Sequence, residues 1–339
     1  MGHVGWALFF LTFFPNTGFA SALSCSGIIG VPVGRPTAIP LPFSMPGLEV
    51  ASLSDPSHST GATLFYFPRG ARLSADIRGG SAATIETSLL GEGSYSNVVD
   101  GLVFSGGSTM GLGVTDGVRS VLFEQNQNSN SFDFIPSVPG AVVYDFGGRI
   151  LPNQLTRIYP GREFGQSLMN YRSTNSFPMG RVGAGTSTTV NKIGRAYWGG
   201  QGAAYRSYPW GNLFAAVVLN AMGDVQNNGM SYSLNFPGVT IPAPKVGQNT
   251  TLSVIVTDVT LDRNQLKRLS MMVHTGMAAR ILPFHTYYDG DVNFAASLAQ
   301  RPAPASEDDE LVMQMAAADL MREAIVNSVL AANEPALFP

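Results

Sequence analysis

The chain has 339 residues, of which 45% are hydrophobic and 13% charged, with 38 Gly and 22 Pro; that length accommodates one large domain or two ordinary ones. The charged share is about half of the roughly 25% usual in globular proteins, so a large buried interior, extensive subunit contacts, or both are implied. A net charge of −3 without any Lys/Arg run offers no footprint for nucleic acid, and one cysteine, Cys25, with four scattered His excludes an internal disulfide and a Cys/His metal cluster.

Val4 to Phe14 (VGWALFFLTFF) is an apolar run too short to cross a bilayer, which takes about 20 residues. Pro15 ends it, and Ala20-Ser21-Ala22 has the A-x-A form of a signal-peptide cleavage site, although the preceding residues carry no Lys or Arg. Residues 1–22 are expected to be an export signal, making the mature protein periplasmic or secreted; the alternatives are an N-terminal extension of a cytoplasmic protein or a misassigned start. Leu23-Ser24-Cys25 has a loose likeness to a lipoprotein cleavage box, with poor spacing. The segment 23–45 is Pro- and Gly-rich, and Ser26 to Ser44 reads as a tether or surface stretch.

From Pro46 onward, short apolar runs alternate with Gly-rich turns. Ala62–Phe67, Val98–Phe104, Ala141–Phe146, Ala215–Asn220 and Leu252–Val256 have the length and β-branched or aromatic content of buried strands. Leu261–Ile281 carries Leu266, Leu269, Val273 and Met277 at helical spacing, with Asp262 placed to cap it. Ser306 to Asp309 reads as a capping box, followed by an apolar stripe of Leu311, Met315, Ala318, Met321, Ile325 and Val329. Strands mixed with helices imply an α/β or α+β fold. No repeat or composition shift divides the stretch 46–332, which is expected to form a single domain.

Several motifs fail on physical grounds. Gly106-Gly107-Ser108-Thr109-Met110 approaches a nucleophile elbow, but Met110 stands where the strained turn demands a second Gly, so a tight turn at a strand end is the better reading. Gly79-Gly80-Ser81 offers backbone N–H groups to an anion, but no P-loop lysine follows. Asp289-Gly290-Asp291 resembles the start of a calcium loop without its downstream ligands. His285, just before it, reads as a satisfied structural group. Three features remain: Thr250 at the junction of a polar loop and a strand, the Asp289/Asp291 pair, and Lys192 in the Gly-rich stretch Gly183 to Gly194. Each alone has an ordinary explanation; Asn249-Thr250-Thr251 is also a glycosylation sequon.

Taken together and in order, the segments resemble the DmpA-type family of L-aminopeptidase/D-esterases, β-peptidyl aminopeptidases and nylon-oligomer hydrolases. The resemblance runs from about Ser44 to Ala332. It is carried by PGLEV (Pro46–Val50), DIRGGSAATIETSLL (Asp76–Leu90), LVFSGGSTMGLGVTDG (Leu102–Gly117), Val182–Lys192, VLNAMGDV (Val218–Val225), Asn249–Asp258 and HTYYDGDVNFA (His285–Ala295). It implies a four-layer αββα sandwich, shared with the ornithine acetyltransferases, and no cofactor. It also implies self-cleavage between Asn249 and Thr250 into an α chain ending at 249 and a β chain of residues 250–339, with Thr250 as the nucleophile. The implied substrates are small peptides or oligoamides, and the implied assembly is a homo-oligomer, a tetramer or larger. The aminopeptidase branch usually has Gly-Ser at the cut and a Ser/Glu pair downstream. Asn-Thr with Asp289 and Asp291 is more similar to the nylon-oligomer hydrolases, which also use a lysine and a tyrosine matching Lys192 and Tyr144.

The chemistry suits these residues. A threonine hydroxyl needs a base close by, and an exposed α-amine, with an ordinary pKa of about 7.7–8.0, serves near neutrality. Asp289 and Asp291 are expected to orient the Thr250 amine and hydroxyl. The amide of Asn220 and the hydroxyl of Tyr144 are expected to stabilise the oxyanion, and Lys192 is expected either to hold it too or to lower the pKa of the Thr250 hydroxyl. Two other classes compete: acyl transfer to an amine, as in the ornithine acetyltransferases, and an uncleaved binding protein.

Overall fold

The computed structural model describes residues 38–334, apart from 56, 58, 150–157, 195, 228–229 and 232–247. The expected export signal, residues 1–22, and most of the loop before Asn249 lie outside the described residues. Ahead of Pro46, Ile39–Pro42 pairs with Ser176–Met179, and Phe43 and Met45 are buried.

The apolar runs assemble into a nine-stranded sheet. Its strands are β1 (Glu49–Ser54), β2 (Gly61–Ile77), β3 (Thr84–Ile85), β4 (Val98–Ser105), β5 (Gly140–Val142), β6 (Gln201–Tyr208), β7 (Gly211–Asn220), β8 (Thr250–Val259) and β9 (Val292–Arg301). Their spatial order is β6-β7-β8-β9-β2-β4-β5-β3, with β1 also on β2. The pairs β8/β9 and β4/β5 are parallel and the others antiparallel.

The long strand β2 makes the sheet double over. Its register against β4 shifts between Tyr66 and Ala71; β1 pairs with the half before the shift and β9 with the half after it. Such an irregularity bends a strand and increases its twist. The two halves of the sheet then share an inner core that includes Phe65, Phe104, Phe214, Leu252, Val254 and Phe294. Period-two alternation sends the other side chains outward. Along β7, Phe214, Ala216 and Val218 face inward, while Leu213, Ala215, Val217 and Leu219 join the outer cluster with helices α3 (Arg263–Ala278) and α4 (Glu307–Asn333). On the opposite side, α1 (Gly113–Gln125) and α2 (Arg162–Leu168) cover Ala62, Leu64 and Val103. The layers are helix, sheet, sheet, helix: the expected αββα sandwich.

Local expectations fare unevenly. Asp262 caps α3 with a full capping box through Gln265. Ser306 caps α4 by accepting from the Asp309 N–H, but Asp309 does not reach back to the Ser306 N–H and instead accepts from its hydroxyl. An Asp is one methylene shorter than the Glu or Gln of a complete box. The α4 stripe needs correction, because Leu311 and Met315 are exposed. At that end only the side carrying Met313, Ala317, Leu320 and Ala324 is covered; further along the buried arc widens to take in Met321, Ile325 and Val329. The strand expected over Ala141–Phe146 stops at Val142. Asp145 is pulled into a buried cluster instead: it accepts from the Thr60 hydroxyl, the Gly107 N–H and the Arg149 guanidinium, with both charged side chains fully enclosed. Gly107 and Ser108 both adopt left-handed backbone, forming the tight turn at the end of β4.

Candidate active site

Three strand ends converge at Thr250. It is the first residue of β8 and lies opposite Asn220, the last residue of β7. Because β8 and β9 are parallel, the residues preceding both strands also run side by side, and Asn249 bridges Asp289. The candidate nucleophile, its upstream neighbour and the D-G-D turn are therefore juxtaposed by sheet register.

The Asn249–Thr250 peptide is buried, with Asn249 fully enclosed and Thr250 4% exposed. The Thr250 hydroxyl donates to the Asn249 carbonyl oxygen, and the Gly290 N–H donates to the same oxygen at 2.8 Å. Gly290 must lack a side chain, because a Cβ there would stand 2.6 Å from the Thr250 Oγ1.

Lys192, Asn220 and Tyr144 assemble one residue upstream of this bond. Lys192 Nζ donates to the Asn220 backbone oxygen at 2.8 Å, to Asn220 Oδ1 at 2.9 Å and to the Gln248 carbonyl at 3.2 Å. These three acceptors match the three protons of an ammonium group. Burial nevertheless draws the Lys192 pKa down to about 7, against the opposing pull of the Asp289 and Asp291 charges. Near neutrality the residue is thus divided between a cation that fills all three acceptors and an amine with a free lone pair. Asn220 Nδ2 donates to the Tyr144 carbonyl at 3.0 Å and to the Gln248 carbonyl at 3.3 Å. Tyr144 therefore joins the site through its backbone; its ring packs on Phe146, and its hydroxyl has no hydrogen-bond partner among the described residues.

The two carboxylates are both buried beside the start of β8. Asp291 Oδ1 accepts from the Thr251 N–H at 2.7 Å, and its Oδ2 accepts from the His285 N–H at 3.0 Å and from His285 Nδ1 at 3.1 Å. Asp289 Oδ1 accepts from the Met222 N–H at 3.1 Å, while Oδ2 takes the Thr286 N–H at 3.2 Å and the Thr286 hydroxyl. Neither holds the Thr250 hydroxyl in the single chain, where that hydroxyl donates to the Asn249 carbonyl and the Thr250 nitrogen is still a peptide N–H. Burial first, and then the Asp291 charge, raises the Asp289 pKa. The RGG loop seals the turn. The Arg78 and Gly79 N–H groups donate to the Asp291 carbonyl, Gly80 N–H to that of Thr286 and Ser81 N–H to that of Asp289. The amides considered for an anion are thus already used, and a Cβ on Gly79 would lie 2.1 Å from the Asp291 nitrogen.

Several participants escape sequence reasoning. Gly290 was merely the spacer between two acidic residues, Gln248 contributes only a carbonyl, and Asp145 anchors the Tyr144 loop from inside the core. The one available signal is His285, which lies four residues ahead of Asp289 and holds Asp291.

This chain is similar to known proteins along most of its length. It is 31% identical over 297 residues to the 6-aminohexanoate-oligomer endohydrolase of Kocuria sp. (strain KY2), covering 81% of this chain and 80% of that protein. It is 31% identical over 325 residues to an uncharacterized aminopeptidase of Mycobacterium tuberculosis, covering 84% and 91%. Among solved structures, the fold matches the L-aminopeptidase D-Ala-esterase/amidase of Ochrobactrum anthropi, described as a variant of the Ntn hydrolase fold, with a TM-score of 0.70 at 18% identity over 90% of each chain. The Burkholderia sp. beta-aminopeptidase gives 0.66 at 18% identity, again over 90% of each. The model of peptidase family S58 matches residues 28–337. The chain belongs to peptidase family S58, and hydrolysis of amide bonds is the reaction class that this membership carries.

Proposed function

We propose that this chain is a self-processing amidohydrolase that cuts its own Asn249–Thr250 bond and then uses Thr250 as an N-terminal nucleophile on small oligoamides of the 6-aminohexanoate type. The observation that carries the reading is the shared acceptor: the Thr250 hydroxyl and the Gly290 N–H both donate to the Asn249 carbonyl oxygen. In self-cleavage the Thr250 Oγ1 attacks the Asn249 carbonyl carbon, and the Gly290 N–H stabilises the oxyanion that develops. The C–N bond then breaks, the hydroxyl proton ends on the departing nitrogen, and an ester joins Asn249 to Thr250. Water hydrolyses it, leaving an Asn249 carboxylate and a free Thr250 α-amine.

The same groups then serve the substrate. The new α-amine acts as general base for the Thr250 hydroxyl. Lys192 and Asn220, which hold the Gln248 carbonyl in the single chain, become donors for a substrate carbonyl once residues 248–249 withdraw. An acyl-threonine forms, the product amine leaves, and water releases the acid. The curated relatives named as oligomer endohydrolases and the Asp289/Asp291 pair support the substrate class.

The test pairs processing with product identification. Purified protein is incubated with linear 6-aminohexanoate oligomers, β-peptides and α-dipeptide amides, and both the chain and the products are analysed by mass. Two chains meeting at residues 249/250, and free acid formed without an added amine acceptor, are expected. Thr250→Ala should stay uncut and inert, while Thr250→Ser should still process. Full activity from an uncut wild-type chain, or normal turnover by Thr250→Ala, would refute the reading.

A further inference from the structure

Behind Asp291 lies a pair of histidines that the mechanism above does not use. The His285 and His274 rings meet edge to face, with centroids 4.6 Å apart. Each places Nδ1 on a buried carboxylate: His285 on Asp291 at 3.1 Å, and His274 on Asp76 at 2.9 Å. Each leaves Nε2 buried without a hydrogen-bond partner among the described residues. A proton on Nε2 would be an orphaned donor, whereas a bare Nε2 costs less, so Nδ1 carries the proton in both rings. Asp76 in turn holds Arg78 and Lys267, and its strand β2 leads directly into the RGG cap over Asp291. His274 is fully enclosed on α3, and burial draws its pKa down while Asp76 opposes the shift.

His285 is also held in an unfavourable backbone conformation, with φ of 58°. A non-glycine residue rarely adopts left-handed backbone, and such strain persists only where the surroundings over-determine it. What this conformation achieves is visible in the hydrogen bonds. It turns both the backbone N–H and the imidazole Nδ1–H of one residue onto the same Asp291 oxygen. The other Asp291 oxygen holds the Thr251 N–H, the amide next to the nucleophile.

We propose that His285, backed by His274, is the positioning residue that fixes Asp291 and through it the start of β8, so that the Thr250 hydroxyl is aimed correctly. The proposal rests on Thr250 being the nucleophile. Removing the side-chain donor leaves a fully buried carboxylate with fewer partners, and a shift of about 1 Å at a reacting group costs on the order of 100-fold in rate.

The experiment compares His285→Gly with His285→Asn. Gly removes the donor and relieves the backbone; Asn keeps a side-chain N–H close to the Nδ1 position and tolerates left-handed backbone. Self-cleavage is followed by denaturing electrophoresis, and kcat and KM are measured on the linear 6-aminohexanoate trimer. His285→Gly is expected to lower the self-cleavage rate and kcat about 10- to 100-fold while KM changes by less than about threefold. His285→Asn is expected to recover most of the loss. Wild-type rates in His285→Gly would overturn the proposal, as would equal impairment in His285→Asn, which would make ring packing and not the donor the requirement. If His285→Gly does not fold, the rates of His285→Asn decide alone by the same criterion. An inert, uncut Thr250→Ala alongside a normal His285→Gly sinks this inference only; an active Thr250→Ala sinks the nucleophile assignment beneath it.

Discussion

The Gly290 N–H points at the carbonyl oxygen of Asn249 from 2.8 Å, across the parallel edge where β8 and β9 begin. A backbone donor at that position is pre-organised, since the sheet that fixes Thr250 also fixes the turn holding Gly290. Such a donor needs no reorganisation as negative charge builds on the oxygen.

Gly290→Ala should therefore block processing. The added Cβ would lie 2.6 Å from Thr250 Oγ1 and 2.9 Å from the Ser81 carbonyl oxygen, and one of those contacts is backbone, so the turn must move. Loss of a positioned oxyanion donor typically costs about 10²–10³ in rate. Electrophoresis over time should show a folded, persistent single chain; wild-type cleavage kinetics would remove Gly290 from the mechanism.

Lys192 gives a pH signature with a definite sign. Its ordinary value of 10.5 falls to about 7 in the fold. Between those values the unfolded chain binds a proton that the folded chain does not, so stability rises with pH across that window. In a Thr250→Ala background, which keeps one chain, urea midpoints should climb from pH 7 to 9 more steeply than in the same chain carrying Lys192→Met. Equal slopes would mean that Lys192 stays fully charged. With Thr250 intact, Lys192→Met should also slow processing, because the Gln248 carbonyl loses a donor.

Asp145 should prove structural and functional at once. Asp145→Ala leaves the Arg149 guanidinium without its carboxylate in the core and costs about 3–5 kcal/mol, readable by urea unfolding of the Thr250→Ala chain. The same change frees the Gly107 N–H and loosens the loop carrying Tyr144, whose carbonyl steadies Asn220. Turnover in the otherwise wild-type chain should fall with it. Unchanged stability would show that the pair contributes nothing net.

Asp291→Asn tests the acidic pair. Two N–H donors converge on Oδ2 and one on Oδ1, so an amide NH2 cannot accept on both sides. Processing and turnover should drop about tenfold or more, while chelator leaves the wild type untouched. Activity lost in chelator and restored by calcium would reassign the D-G-D turn to a metal.

How much of this was legible depends on the interaction that decides each element. Strand interiors such as Leu252–Val256 were readable because burial on both faces leaves a continuous β-branched run. The α3 start was readable because Asp262 and Gln265 satisfy its end locally. Leu311 and Met315 misled, since helical periodicity says which residues share a face but not how far a neighbour covers it. Tyr144 is a different case: the family resemblance points to its hydroxyl, and in the uncut chain it is the backbone carbonyl of Tyr144 that meets Asn220, a contact that no residue type announces.

The sequence by itself determined the order of the motifs, the mixed α/β layering and the candidates Thr250, Lys192, Asn220, Asp289 and Asp291, because these rest on local composition and ordered resemblance. The tertiary structure alone decided what those residues touch. The parallel register of β8 and β9 sets Gly290 on the Asn249 carbonyl, and the RGG loop and His285 consume the hydrogen-bonding capacity around Asp291. Contacts of this kind join residues far apart in the chain through backbone atoms, which every residue type carries, so no side-chain pattern announces them.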